Sequence, residues 1–184
     1  MTRSPLSQRR LRNFRANRRA FWSFWIFVVL FGLSLFAEVL ANDKPLLVKY
    51  QDSYYTPFLK FYPETAFGGD FQTEAGYRDP EVQCLIVAAG NQACWDDPEA
   101  VMAEAKGGSV AGSPVQTGWM LWPPIPFSYN TIVDKGGVAP SAPDAMNWLG
   151  TDDTSRDVLA RVIYGVRLSV SFALIVTFLT SVIG

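Results

Sequence analysis

The side chains that could do chemistry in this chain are few, and their types restrict what it can be. Among its 184 residues there is no histidine, which removes the commonest general base and the commonest metal ligand. Cys84 and Cys94 are the only cysteines, ten positions apart. Two thiols are half of a structural zinc set, and no basic residue stands beside them in sequence to make a nucleophile. Joined to each other in an oxidising space they would close a small loop and contribute about 2–3 kcal/mol by restricting the unfolded chain; the other reading is two buried free thiols. Asp96, Asp97 and Glu99 form an acidic group that fits a solvated helix start better than a cation site. No GxxxxGK[ST] loop occurs, so phosphate cradling of the P-loop kind is not expected. The chain does not read as an enzyme, and no cofactor or metal is implied.

The remaining polar pattern lies just before the last apolar run. Thr154, Ser155, Arg156 and Asp157 fit the [ST]-x-x-[DE] capping box, which predicts a helix from Ser155. From there Val158, Leu159, Val162, Ile163 and Val166 recur at helical spacing, and Asp157 with Arg161 would form an i, i+4 surface ion pair. The segment 155–167 is therefore expected as an amphipathic helix at a membrane face. Beyond Arg167 no charge appears as far as Gly184. Those residues would cover roughly 26 Å of a hydrocarbon layer about 30 Å thick, so 168–184 reads as the start of a second membrane helix that the sequence given cuts short. Gly165, Ser169, Ala173, Thr177 and Ser181 fall every fourth residue along it, a small-residue ridge that lets another helix approach closely.

A first membrane helix is expected over 21–41. That stretch is about 31 Å long as a helix, carries Glu38 as its only charge, and gathers Phe21, Trp22, Phe24 and Trp25 at one end. Residues 1–20 hold Arg3, Arg9, Arg10, Arg12, Arg15, Arg18 and Arg19 and no acid, whereas Asp43 to Asp144 holds 13 Asp or Glu against six Lys or Arg. The net charge of -1 hides this segregation. By the positive-inside rule the arginine tail is cytoplasmic and 42–154 is an extracytoplasmic insert. A nucleic-acid arm is disfavoured because an apolar run follows the arginines at once. A cleavable export signal stays open, through the small-residue site Val39-Leu40-Ala41 and the twin arginines Arg18 and Arg19.

Within the insert, short strands are expected at Leu46–Tyr50 and Thr56–Phe61, a short helix at Pro98–Ala105, and loops at Lys106–Pro114 and Asp134–Pro143. Trp119–Phe127 is too proline-rich for a helix or a central strand and should run extended. The expected class is a mainly α membrane protein, two membrane helices flanking a long irregular extracytoplasmic insert.

The residues before the second apolar run also carry a family likeness. Leu149, Gly150, Thr151 and Asp152, then Arg156 to Arg161 with Asp157 among them, then Gly165 and Arg167, resemble the LGTDxxGRDVLSRLIYGxRxSL signature of the C-type permease subunits of oligopeptide and dipeptide ABC importers. Ala41–Tyr50, Phe67–Asp70 and Trp119–Phe127 extend the likeness over most of the chain. Ser155 stands where that pattern usually has glycine. The resemblance implies the N-terminal part of an ABC importer transmembrane domain in the bacterial inner membrane, moving oligopeptide or microcin C-like cargo. Its implied partners are a second permease subunit, two ATPase subunits that hydrolyse ATP, and a periplasmic peptide-binding protein. A membrane-tethered extracytoplasmic binding or scaffold domain is the alternative.

Overall fold

The computed structural model describes residues 5–110, 113–114, 117–133, 136 and 139–184. Arg3 and parts of the two loops expected at Lys106–Pro114 and Asp134–Pro143 lie outside the described residues. The chain divides into two compact units, one of residues 1–37 with 163–184 and one of residues 38–162.

In the first unit the arginine tail is itself helical, as α1 (Pro5–Ala16), where only a charged tail was expected. Helix α2 (Arg18–Leu35) follows after Asn17, whose Oδ1 accepts from the Ala20 amide at 3.3 Å and so satisfies a free donor of the first turn. Phe14 of α1 packs on Phe21 and Phe24 of α2, ring centroids 5.9 and 5.6 Å apart. The span expected over 21–41 is not one helix: it breaks at Phe36 and resumes as the single turn α3 (Ala37–Leu40). Among the described residues, α2 and the last helix, α6 (Val158–Ile183), are long and apolar enough to cross a membrane. Only 6% of α2's apolar window is buried, and 0% of α6's. An apolar helix of a soluble protein hides its apolar side chains in a core; these two present them outward, which lipid would cover.

The second unit is built on the strand β1 (Leu47–Tyr50). It pairs antiparallel with β2 (Ser53–Tyr55) on one side and with β5 (Trp119–Leu121) on the other, aligning Val48 with Tyr55 and with Met120. The second strand therefore falls at Ser53–Tyr55, while Thr56–Phe61, expected as a strand, turns back on itself through the amides of Leu59 and Lys60 on the Thr56 carbonyl. Val48, Tyr50, Phe67, Tyr77, Val82 and Ile86 form one core cluster, in which Phe67 meets Tyr50, Tyr55 and Tyr77 at 5.5, 5.1 and 5.8 Å in edge-on contacts that aromatic quadrupoles favour.

Helix α4 (Pro80–Val87), unexpected from the sequence, turns Val82 and Ile86 to that cluster and Cys84 and Leu85 to a second one with Cys94, Val101, Ala105 and Val110. Helix α5 (Pro98–Lys106) closes the second cluster, its first turn capped by Asp97 Oδ1 on the Ala100 amide at 3.0 Å. The stretch Lys106–Pro114, expected as loop, contains a two-stranded ladder of β3 (Ser109–Val110) and β4 (Ser113–Pro114). Gly118 lets β5 approach: a Cβ there would lie 2.2 Å from the Ile86 carbonyl oxygen and 2.6 Å from that of Lys49.

Candidate functional site

The residues that lead into α6 fold into a polar knot, assembled from short local turns. Asp144 Oδ1 accepts from the amides of Met146 and Asn147 at 2.8 and 2.7 Å, and the Gly150 amide donates to the Asn147 carbonyl at 2.9 Å. Gly150 has φ +73°, and a Cβ on it would stand 2.3 Å from the Ser141 carbonyl oxygen, so both conformation and space require glycine. Thr151 then locks onto Ser141, its Oγ1 accepting from the Ser141 amide at 3.0 Å while its own amide donates to the Ser141 carbonyl at 3.1 Å. The chain reverses at residues 152–155, so that Thr151 bridges Asp157 and Arg156 bridges Ile132.

Two carboxylates hold this reversal. Asp152 Oδ1 accepts from the Thr154 hydroxyl at 2.8 Å and from the Thr154 and Arg156 amides, each at 2.9 Å, and its Oδ2 is paired with Arg161. Desolvation pushes this carboxyl up, but the hydrogen bonds from Arg156, Thr154 and Arg161 outweigh it and hold it at about 2. The depressed value sets a pH dependence. The Asp152 contribution is complete above the ordinary 3.8 and is lost as pH falls towards about 2. Asp152→Asn should therefore flatten the acid limb of the insert's stability profile between about pH 4 and about pH 2, as read by tryptophan fluorescence.

Asp157, only 1% exposed, accepts from the Ala160 amide through Oδ1 at 2.7 Å and from Asn147 Nδ2 through Oδ2 at 2.8 Å. This overturns two expectations. The helix starts at Val158 rather than Ser155, because Thr154 spends its hydroxyl on Asp152 and Asp157 caps the first turn itself. The Asp157–Arg161 surface pair does not form either, since Asp157 is buried and Arg161 pairs with Asp152. The amphipathic stretch and the apolar run after it belong to one helix, residues 158–183.

Ser155 has φ +58°, the left-handed region in which a Cβ costs about 1–2 kcal/mol and glycine does not pay it. That is the physical reason a glycine suits this position. Ser155→Gly should raise the unfolding free energy of the insert by about 1 kcal/mol, measured as a shift in denaturant midpoint.

The other motif residues divide between the knot and the helix beyond it. Leu149 is exposed beside Trp148. Gly165 has open space where a side chain would be, and Arg167 lies over the Tyr164 ring at 4.9 Å. The small-residue ridge from Gly165 to Ser181 is exposed along α6. Sequence reasoning missed Asn147, Ser141 and Asp144, of which only the Asx-turn spacing of Asp144 and Met146 left a trace. Cys84 and Cys94 belong to a different part of the insert, where they form a disulfide with Cα atoms 5.6 Å apart. Among the described residues no acidic or thiol cluster could hold a metal ion. The hydroxyl that the knot sets on a carboxylate, Thr154 on Asp152, shares that carboxylate with two backbone amides and Arg161; what the knot can do is hold the chain reversal and the first turn of α6.

Residues 4–60 match the family described as the N-terminal TM domain of oligopeptide transport permease C. The chain is 44% identical over 184 residues to the inner membrane ABC transporter permease protein YejE of Escherichia coli (strain K12), covering 98% of this chain and 45% of that protein. It is 36% identical over 208 residues to the peptidoglycan transport system permease protein YejE of Agrobacterium fabrum (strain C58), covering 98% of this chain and 46% of that protein. The chain thus spans less than half the length of these curated relatives. No solved structure matches it.

Proposed function

For a chain of the YejE and oligopeptide-permease C type, a membrane protein of mainly helical character, we propose the role of a permease subunit in an ATP-driven importer of peptides across the bacterial inner membrane. The observation that carries this reading is the pair of outward-facing apolar helices, α2 and α6, bracketing an acidic, disulfide-stapled insert, with five arginines before α2 and two more in its first turn. In this reading α2 and α6 cross the membrane, the arginine tail is cytoplasmic, and residues 42–154 lie in the periplasm.

The chain is a transport component and not an enzyme. ATP hydrolysis belongs to two separate ATPase subunits, and the pathway is completed by a second permease subunit and a periplasmic peptide-binding protein. Alternating access requires helices to move as bodies. A helix whose first turn is tied by Asp157, and whose approach is tied by Asp152 and Thr151, is held against fraying at its start. The matching family's description names oligopeptides and the Agrobacterium relative's name peptidoglycan, which share peptide ends as recognisable chemistry.

The test is uptake. The gene encoding this chain, expressed with its partner subunits in a host lacking its own peptide importers, should restore accumulation of labelled short peptides at least tenfold over the empty host. Accumulation no higher than in the empty host would refute the reading.

A further inference from the structure

One open cleft in the insert has a composition that no role described above uses. Its volume is about 360 Å³ and it is lined by Arg78, Gln83, Trp122, Pro126 and Met146, which is within the roughly 300–1,000 Å³ of small-molecule sites. The cation in it is fixed in place. Arg78 Nη1 donates to the Pro126 carbonyl, and the guanidinium lies over the buried Phe127 ring at 4.5 Å from its centroid. Among the described residues no carboxylate forms an ion pair with it. Partial burial pushes the Arg78 guanidinium down from its ordinary value, and the charges of Asp43 and Asp79 act against that shift; an arginine stays charged, so a half-desolvated cation is held by a cation–π contact and one carbonyl, with two carboxylates acting on it from beyond ion-pair distance.

The rest of the lining complements such a charge. Gln83 Nε2 donates to the Tyr77 carbonyl at 3.1 Å, which fixes the amide orientation and leaves Oε1 as a free acceptor among the described residues. Trp122 is half-buried against the core, and Met146, also in the lining, is 61% exposed. An indole and a thioether make an adaptable apolar seat.

We propose that this cleft binds the carboxylate end of a short peptide whose last side chain is apolar. The carboxylate pairs with Arg78, the adjoining peptide N–H donates to Gln83 Oε1, and the side chain lies against Trp122 and Met146. This rests on the peptide-import reading and adds to it a station in the insert itself.

The test uses the complete transporter in lipid nanodiscs, with a tripeptide ending in leucine as its free acid, the same tripeptide as its amide, and hexanoate. Binding is read calorimetrically and by the fluorescence difference between the parent and a Trp122→Phe variant. The free acid should bind about tenfold or more tightly than the amide, as a charge-assisted contact requires. Met146→Asp, which places an acid in the cleft without touching the Arg78–Pro126 bond, should weaken the free acid about tenfold and the amide little. Arg78→Gln should abolish the acid–amide difference while the Cys84–Cys94 disulfide still forms. Equal binding of acid and amide overturns the proposal, as does hexanoate binding as tight as the peptide's, which would mark a general carboxylate site. Peptide uptake that stays normal alongside either result leaves the import reading standing. Loss of all uptake by the intact parent transporter would remove that reading instead.

Discussion

Asp157→Ala should destabilise the insert by about 3–5 kcal/mol, because two amide donors, one of them the helix-capping amide of Ala160, are left buried without an acceptor. Both oxygens of this carboxylate are committed, Oδ1 to the Ala160 amide and Oδ2 to Asn147 Nδ2, at 2.7 and 2.8 Å. Neither donor has water to turn to, since Ala160 and Asn147 are both 0% exposed. Asp157→Asn separates shape from charge. The amide oxygen can still cap the helix, and a flip of Asn147 brings its Oδ1, which has no partner as it stands, to the new amide nitrogen. We expect that variant to lose only about 1 kcal/mol. Denaturant unfolding followed by near-ultraviolet circular dichroism measures both. Equal losses for the two variants would show that the carboxylate's charge, rather than its two acceptors, holds the knot.

Removing the disulfide through Cys84→Ala with Cys94→Ala should cost about 3 kcal/mol, the chain-entropy value for a loop of ten or so residues. Both sulfurs are fully buried in the cluster that α4, α5 and the Gln92–Trp95 turn share. The loss should therefore appear as loosening of that cluster, while the sheet around Val48 unfolds later. Limited proteolysis should cut first between α4 and α5. The same fragment pattern should follow reduction of the parent protein in mild denaturant. An unchanged denaturant midpoint in the double variant would contradict this.

The elements most legible in the sequence were those governed by one dominant local signal. Pro98 after Asp97 marks the start of α5, and the charge-free run after Arg167 marks the body of α6. The errors came where two local signals compete. Thr154 and Asp157 satisfy the capping-box spacing, but Asp152, two residues before Thr154, captures its hydroxyl, so the cap passes to Asp157 and the helix begins three residues late. Helix α4 was invisible to periodicity because it lies between two clusters and is buried on more than one face, which erases the amphipathic stripe. The β1–β2 hairpin turns at Gln51 and Asp52, with Gln51 at φ +52°; without a glycine there, nothing announced the turn. Arg78 was passed over because a lone arginine in a loop carries no spacing signal, and only the fold brings it to Phe127 and Pro126.

Sidedness is the claim on which the account depends, and cysteine accessibility measures it directly. The native cysteines are tied to each other and do not compete for the reagent. Leu59→Cys, at an exposed position of the insert, and Gln8→Cys, at an exposed position of the arginine-rich helix, are each treated in intact spheroplasts with a membrane-impermeant maleimide. Residue 59 should be labelled in intact cells and residue 8 only after permeabilisation. Labelling at residue 8 in intact cells, with residue 59 protected until lysis, would contradict it.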